Sequence, residues 1–144
     1  MLSARIRALL LGKDSAASKR WAAAAVAVAV LSFGYFAALK GLTGFEWPFH
    51  LFLWWEGYAL LLGVLITIQA YANGGLLLSW ALALAGILGA MLNYGGIGMI
   101  GQPMGILELV ALALTGGSLG AVVLGTPAFV AGTTTRRRSR GRNQ

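Results

Sequence analysis

Residues 57–92 read GYALLLGVLITIQAYANGGLLLSWALALAGILGAML and contain no Asp, Glu, Lys, Arg or His. Two apolar runs flank Asn73-Gly74-Gly75, a tripeptide typical of a tight turn. With its flanking residues, each run reaches the length of about 20 apolar residues that a membrane-spanning helix needs. The stretch therefore predicts two antiparallel neighbouring helices that cross a membrane.

Two further apolar runs lie on either side of this pair. Ala22–Leu39 has no charged residue and is closed by Lys40, and Ile106–Thr126 is followed by Pro127. We therefore predict an all-α integral membrane protein, an antiparallel up-down four-helix bundle. Its helices are expected at residues 22–40, 48–72, 75–93 and 104–127, within a transmembrane domain of residues 22–132.

The overall composition supports this class of fold. Of 144 residues, 58% are hydrophobic and only 10% are charged, and the mean hydropathy is +0.78. A soluble domain has about 25% charged residues, and the alternative of a buried soluble bundle would need polar helix faces that this chain lacks. Because there is no cysteine, disulfides and thiolate metal sites are excluded.

Basic residues collect at both ends of the chain. Residues 1–21 form a basic segment with a short amphipathic pattern and contain Arg5, Arg7, Lys13, Lys19 and Arg20. Positive charges favour the cytoplasmic side of a membrane, so both termini are predicted to lie in the cytoplasm or in the interior of whatever compartment this membrane encloses. A signal peptide is the alternative for the first helix, but its apolar run exceeds the usual length of such a peptide.

The C-terminal tail, residues 133–144, is low in complexity and is predicted to be disordered. It contains five arginines: Arg136, Arg137, Arg138, Arg140 and Arg142. These cations could bind anionic lipid headgroups or the phosphates of nucleic acid. They could also act only as a topology signal.

Four ionisable residues are predicted in the outer half of the bundle: Lys40, His50, Glu56 and Glu108. Ionisable groups within spanning helices are costly and usually functional, so their convergence would indicate a site. The alternative is that all four lie at the membrane interface, with a carboxylate stabilised by a helix N-terminus.

Small residues recur along the fourth and third predicted helices. The fourth contains Ala113, Gly117, Ala121 and Gly125 at four-residue intervals, with Gly116 and Gly120 beside them, and the third contains a complementary series of Ala81, Ala85 and Gly89. Such faces let helices approach closely in lipid. They predict packing within the chain, or contact with a second copy or a partner membrane subunit. Gln69, Asn93 and Gln102 are expected to form interhelical hydrogen bonds.

The sequence has few residues that could support catalysis. We find no HExxH motif, no glycine-rich phosphate loop and no nucleophile next to a base, and the single histidine excludes a multi-histidine metal or haem site. We therefore predict no catalytic residue, no metal and no cofactor, which favours a protein that is not an enzyme.

One resemblance concerns the start of the second helix. Trp55-Glu56-Gly57-Tyr58-Ala59-Leu60-Leu61-Leu62-Gly63 is similar to the second helix of the DoxX-like family of small four-helix membrane proteins. That family also often has a lysine closing helix one, a glutamate early in helix four and a Gly-x-Pro-like close, as in Lys40, Glu108 and Gly125-Thr126-Pro127. The resemblance implies a redox- or ion-linked membrane subunit that uses Glu56 and Glu108.

A second resemblance is architectural. A short four-helix protein with arginine-rich, lysine-poor termini on the inner side is similar to internal membrane proteins of archaeal pleomorphic viruses, and holins share the small size and basic tail. This resemblance implies a structural membrane component of a virus or envelope. The leading interpretation of the sequence is such a non-enzymatic protein, whose tail contacts anionic lipid or nucleic acid.

Overall fold

A computed structural model describes residues 2–41, 55–94 and 105–141 of the protein. All regular secondary structure in these residues is helical, which confirms an all-α fold. The helices are α1 (Leu2–Leu11), α2 (Ser15–Gly41), α3 (Trp55–Ala72), α4 (Leu76–Tyr94), α5 (Ile106–Gly120) and α6 (Thr126–Gly141). A π-helical turn, Ala121–Gly125, joins α5 directly to α6.

The predicted tight turn separates α3 from α4. Gly74 has a φ of 74°, a left-handed conformation that glycine adopts without steric cost. A side chain at Gly86 of α4 would meet Tyr58 and Leu62 of α3, so the two helices pack closely after the turn.

A second sharp connection joins α1 to α2. Gly12 has a φ of 93°, and the Asp14 carboxylate accepts the backbone N–H of Ala16 at 2.9 Å. This is the side-chain hydrogen bond by which aspartate caps a helix N-terminus. As a result α2 begins at Ser15, before the apolar run, and includes Lys19 and Arg20.

Helix α4 lies against α2, α3 and the long α5–α6 helix. The buried core between them consists of small and aliphatic side chains: Ala25, Leu62, Ile66, Leu82, Ala83, Ala121 and Ala128. A Cβ atom at Gly89 would collide with the Ala29 carbonyl oxygen of α2. Gly89 therefore packs against α2 within the chain. Ala81, by contrast, lines a cavity with Ser118 and Ala121.

The predicted small face of the fourth helix is buried. Ala113, Gly117, Ala121 and Gly125 are all buried, and side chains at the two glycines would meet α4. Gly116 and Gly120 lie beside Met91 and Ile87 of α4. The small residues thus allow α5 and the π-helical turn to approach α4.

The prediction that Pro127 ends the fourth helix is wrong, because the helix continues to Gly141. Proline has no N–H, and its ring crowds the carbonyl four residues earlier. The π-helical turn Ala121–Gly125 lies directly before Thr126, and normal α-helical spacing resumes there, because the Thr126 N–H bonds to the carbonyl of Val122 four residues earlier. Such bulges commonly accommodate a disruption within a helix.

The structure also differs from the predicted disorder of residues 133–144, of which residues 133–141 are helical. The Thr133, Thr134 and Thr135 hydroxyls donate to backbone carbonyls one turn earlier. Arginine is in addition a good helix former. The helix therefore carries Arg136, Arg137 and Arg138 as an extension of the packed bundle.

Within the described residues, two helical stretches are long and apolar enough to cross a membrane. They are Ile6–Ala38, of 33 residues, and Ile106–Ser139, of 34 residues. The apolar helices Glu56–Ala72 and Leu76–Leu92 are shorter. The preceding part of the predicted second helix, residues 48–54, lies outside the described residues.

Candidate functional site

Polar side chains, three of them buried, connect the α1–α2 turn to the α3–α4 turn. We call Ser18, Gln69, Asn73 and Ser79 the polar cluster. Asn73 is only 2% exposed, and its side chain donates to Ser18 Oγ at 2.9 Å and accepts the Asp14 N–H at 3.1 Å. Its backbone carbonyl accepts the Lys13 N–H at 3.2 Å. Asn73 thereby fixes the α1–α2 connection against the α3–α4 turn.

The other half of the polar cluster joins α3 to α4. Ser79 Oγ donates to Gln69 Oε1 at 2.7 Å, and both side chains are fully buried. This confirms the predicted interhelical hydrogen bonding of Gln69, while Ser79 was not singled out from the sequence. No buried side-chain nitrogen or oxygen in the described part of the chain lacks a partner. The polar cluster is therefore satisfied internally and acts in packing.

A cavity of about 250 Å³, which we call the basic pocket, lies beside these turns. The α1–α2 connection contributes Lys13, and α6 contributes Arg136 and Arg137. Its apolar wall includes Leu9 and Phe129. The structure thus brings basic residues from both ends of the sequence to one recess.

The tail arginines differ in their surroundings. Arg136 is half-buried, whereas Arg137 and Arg138 are exposed. The side chain of Arg140 and the whole of Arg142 lie outside the described residues. Among the tail arginines whose side chains are described, only Arg136 and Arg137 line the basic pocket.

Of the four predicted outer ionisable residues, the structure describes the side chains of Glu56 and Glu108. Glu56 is an exposed residue in the first turn of α3. Glu108 is exposed in the first turn of α5, where its carboxylate accepts the Gly105 N–H at 3.3 Å. This is the reach-back contact of a capping box, so Glu108 has a structural role. His50 and the side chain of Lys40 lie outside the described residues.

The described residues contain no group of three His, Cys, Asp or Glu side chains that could hold a metal ion.

A second cavity of about 250 Å³ lies between α2 and α3. It is mainly apolar, but the hydroxyls of Ser32 and Tyr58 form a hydrogen bond at its wall. The Phe36 ring packs edge-on against Tyr58, with ring centroids 5.0 Å apart. Sequence reasoning missed this pair, although Ser32 interrupts an otherwise apolar run. The hydrogen bond supplies a polar link between two apolar helices.

Comparison with known protein families, curated proteins and solved structures gave no match to this chain.

Proposed function

We propose that this chain is a non-enzymatic structural component of a membrane. It spans the bilayer as an antiparallel up-down four-helix bundle, with both termini on the inner side, in the cytoplasm or the interior of a virion. Its basic end contacts anionic lipid or nucleic acid.

The observation that carries the proposal is the large amount of apolar side-chain surface that is exposed on the described helices. Large apolar residues on three different helices are highly exposed, among them Leu31 at 70%, Leu60 at 68% and Val123 at 72%. Extended apolar surface of this kind would promote association in water, whereas lipid tails solvate it. The shortness of the connection at residues 73–75 also suits successive spans of a bilayer.

The charged end of the molecule supports the orientation. Lys13 and Arg136, far apart in sequence, line the same pocket, which supports a common side for the two basic segments. The positive-inside rule would place that end on the cytoplasmic side. A virion interior would present nucleic acid to the same surface.

Binding by the tail can be tested with protein reconstituted in neutral phosphatidylcholine vesicles, with the tail outward. We expect binding to duplex DNA or to anionic vesicles that weakens steeply with salt. If all five arginines contact phosphates, the slope reaches about −4.5, or an about 500-fold loss of DNA affinity between 50 and 200 mM salt.

The matched variants change the same five arginines to glutamine or to lysine. The glutamine variant should lose binding and the lysine variant should retain most of it, because the interaction depends mainly on charge. Unchanged binding by the glutamine variant at low salt would show that the tail arginines do not bind either partner and act only as a topology signal. Release of the protein from membranes by alkaline carbonate would contradict membrane integration itself.

A further inference from the structure

We propose that the basic pocket binds the phosphate headgroup of one anionic phospholipid, whose acyl chains lie along the apolar wall of the pocket. This inference rests on the proposed function, since it requires this end of the bundle to lie at a membrane surface. It goes further by assigning a defined site and one class of ligand.

The charges in the pocket favour an anion. Lys13, Arg136 and Arg137 line it, and none of the described lining residues is acidic. An arginine guanidinium can donate two parallel hydrogen bonds to phosphate oxygens, while lysine supplies a compact positive charge. Three cations from two segments therefore suit a phosphate better than a neutral headgroup.

The apolar wall distinguishes a lipid from other phosphates. Leu9 is 52% exposed, and Phe129 of α6 lies beside it in the same lining. A free phosphate ion gains nothing from such contacts, whereas a phospholipid buries its glycerol and acyl groups there. Basic pockets between helices on the cytoplasmic side are known to accept anionic headgroups.

The size of the recess argues against nucleic acid as its occupant. A cavity of about 250 Å³ admits one headgroup, but a B-form duplex presents its phosphates along the edges of a groove about 12 Å wide. The exposed Arg138 lies outside this lining and remains available for diffuse electrostatic contact.

Close packing of α6 on α3 fixes the backbone next to the basic pocket. A Cβ atom at Gly132 would meet Ala70 Cβ at 2.7 Å and Tyr71 N at 2.9 Å, so α6 lies directly on α3 one turn before Arg136. The Arg136 guanidinium itself lies beside Gly74 of the α3–α4 turn. Cations fixed on packed helices lose less conformational entropy on binding.

The test measures lipid binding to the full chain in neutral detergent, by native mass spectrometry and by the shift in melting temperature. Phosphatidylglycerol is the probe, and phosphatidylcholine, inorganic phosphate and a short DNA duplex are the comparison ligands. We expect one molecule of phosphatidylglycerol to bind and to stabilise the protein, with at least tenfold weaker binding of phosphatidylcholine.

Two double variants remove the same charge from different places. Arg136→Gln with Arg137→Gln alters the pocket, while Lys19→Gln with Arg138→Gln alters exposed residues outside its lining. We expect an at least tenfold loss of phosphatidylglycerol affinity in the first and less than twofold in the second. The melting temperature without lipid reports folding, and Lys13→Gln compared with Lys19→Gln repeats the test if the first double variant unfolds.

Equal losses of phosphatidylglycerol affinity in the two double variants would contradict a lipid site in the basic pocket, because binding would then be diffuse. The proposal that the tail contacts anionic lipid or nucleic acid would remain. Displacement of the lipid by millimolar inorganic phosphate would overturn a lipid site, as would preferential binding of the DNA duplex in the pocket. Extraction of the protein by alkaline carbonate would instead contradict the proposed function on which this site depends.

Discussion

Asn73 donates its side-chain N–H to the hydroxyl of Ser18 at 2.9 Å, across 55 positions of sequence. The Ser18 hydroxyl also lies within hydrogen-bond distance of the Leu11 and Asp14 carbonyls. One amide side chain therefore ties the break between α1 and α2 to the α3–α4 turn. The position of Lys13, and with it the basic pocket, depends on this link.

Replacing Asn73 with alanine should destabilise the protein by about 2 kcal/mol. The change removes two hydrogen bonds of a side chain that is 2% exposed, and each contributes about 1 kcal/mol to stability. Thermal or denaturant unfolding in detergent measures the difference.

Thr134→Ala is the control for this change, since Thr134 is exposed and bonds only to carbonyls of its own helix. We expect it to alter stability by less than about 0.5 kcal/mol. Equal effects of the two substitutions on stability would show that the hydrogen bond from Asn73 to Ser18 does not stabilise the protein.

Local patterns in the sequence were sufficient for much of the fold. Asn73-Gly74-Gly75 between two apolar runs predicted the α3–α4 turn, because only glycine adopts the required positive φ readily. The burial of Gln69 also followed from its place in an apolar helix, where a polar side chain needs a partner. These features depend on neighbouring residues in the sequence and on the need of a buried polar side chain for a hydrogen-bond partner.

Other features could not be predicted from local patterns. Pro127 is typical of a helix end, but a π-helical turn precedes it and the helix continues to Gly141. Gly89 belongs to a small-residue series, yet only the position of α2 decides which helix it faces. The charge pattern predicted that both basic ends lie on one side of the membrane, but it did not predict that Lys13 and Arg136 line the same pocket.

Gly132→Ala should destabilise the bundle by more than about 2 kcal/mol, whereas Gly34→Ala should stabilise it by up to about 1 kcal/mol. A Cβ at Gly132 would collide with the Thr67 carbonyl of α3, and backbone cannot move aside cheaply. A Cβ at Gly34 would meet nothing within 4 Å, so only the higher helix propensity of alanine remains.

Melting temperatures of these two single variants and the unaltered chain test the difference. Gly117→Ala adds an intermediate case, because its new methyl would meet Leu84 Cδ1, the end of a flexible side chain. Similar melting temperatures for Gly34→Ala and Gly132→Ala would contradict the close approach of α6 to α3.

Membrane topology can be tested with single cysteines, because the chain contains none. We expect cysteines at Ser15 and Ser139 to be protected from an impermeant thiol reagent in intact cells, and those at Thr43 and Gly96 to react. Permeabilised cells provide the control for intrinsic reactivity. Labelling at Ser139 with protection at Thr43 would reverse the proposed orientation.

The final prediction separates a structural protein from a redox- or ion-linked subunit that uses Glu56 and Glu108. Glutamine keeps the size of glutamate and can still accept the Gly105 N–H, so Glu108→Gln should preserve the helix cap while removing the charge. Both Glu56→Gln and Glu108→Gln should leave proton leak across reconstituted vesicles, and any quinone-dependent turnover, unchanged. Glu108→Ala should lower stability by at most about 1 kcal/mol, because it removes a carboxylate that interacts favourably with the helix N-terminus. If both glutamine variants abolish proton flux or turnover while remaining folded, the carboxylates work together and the structural proposal fails.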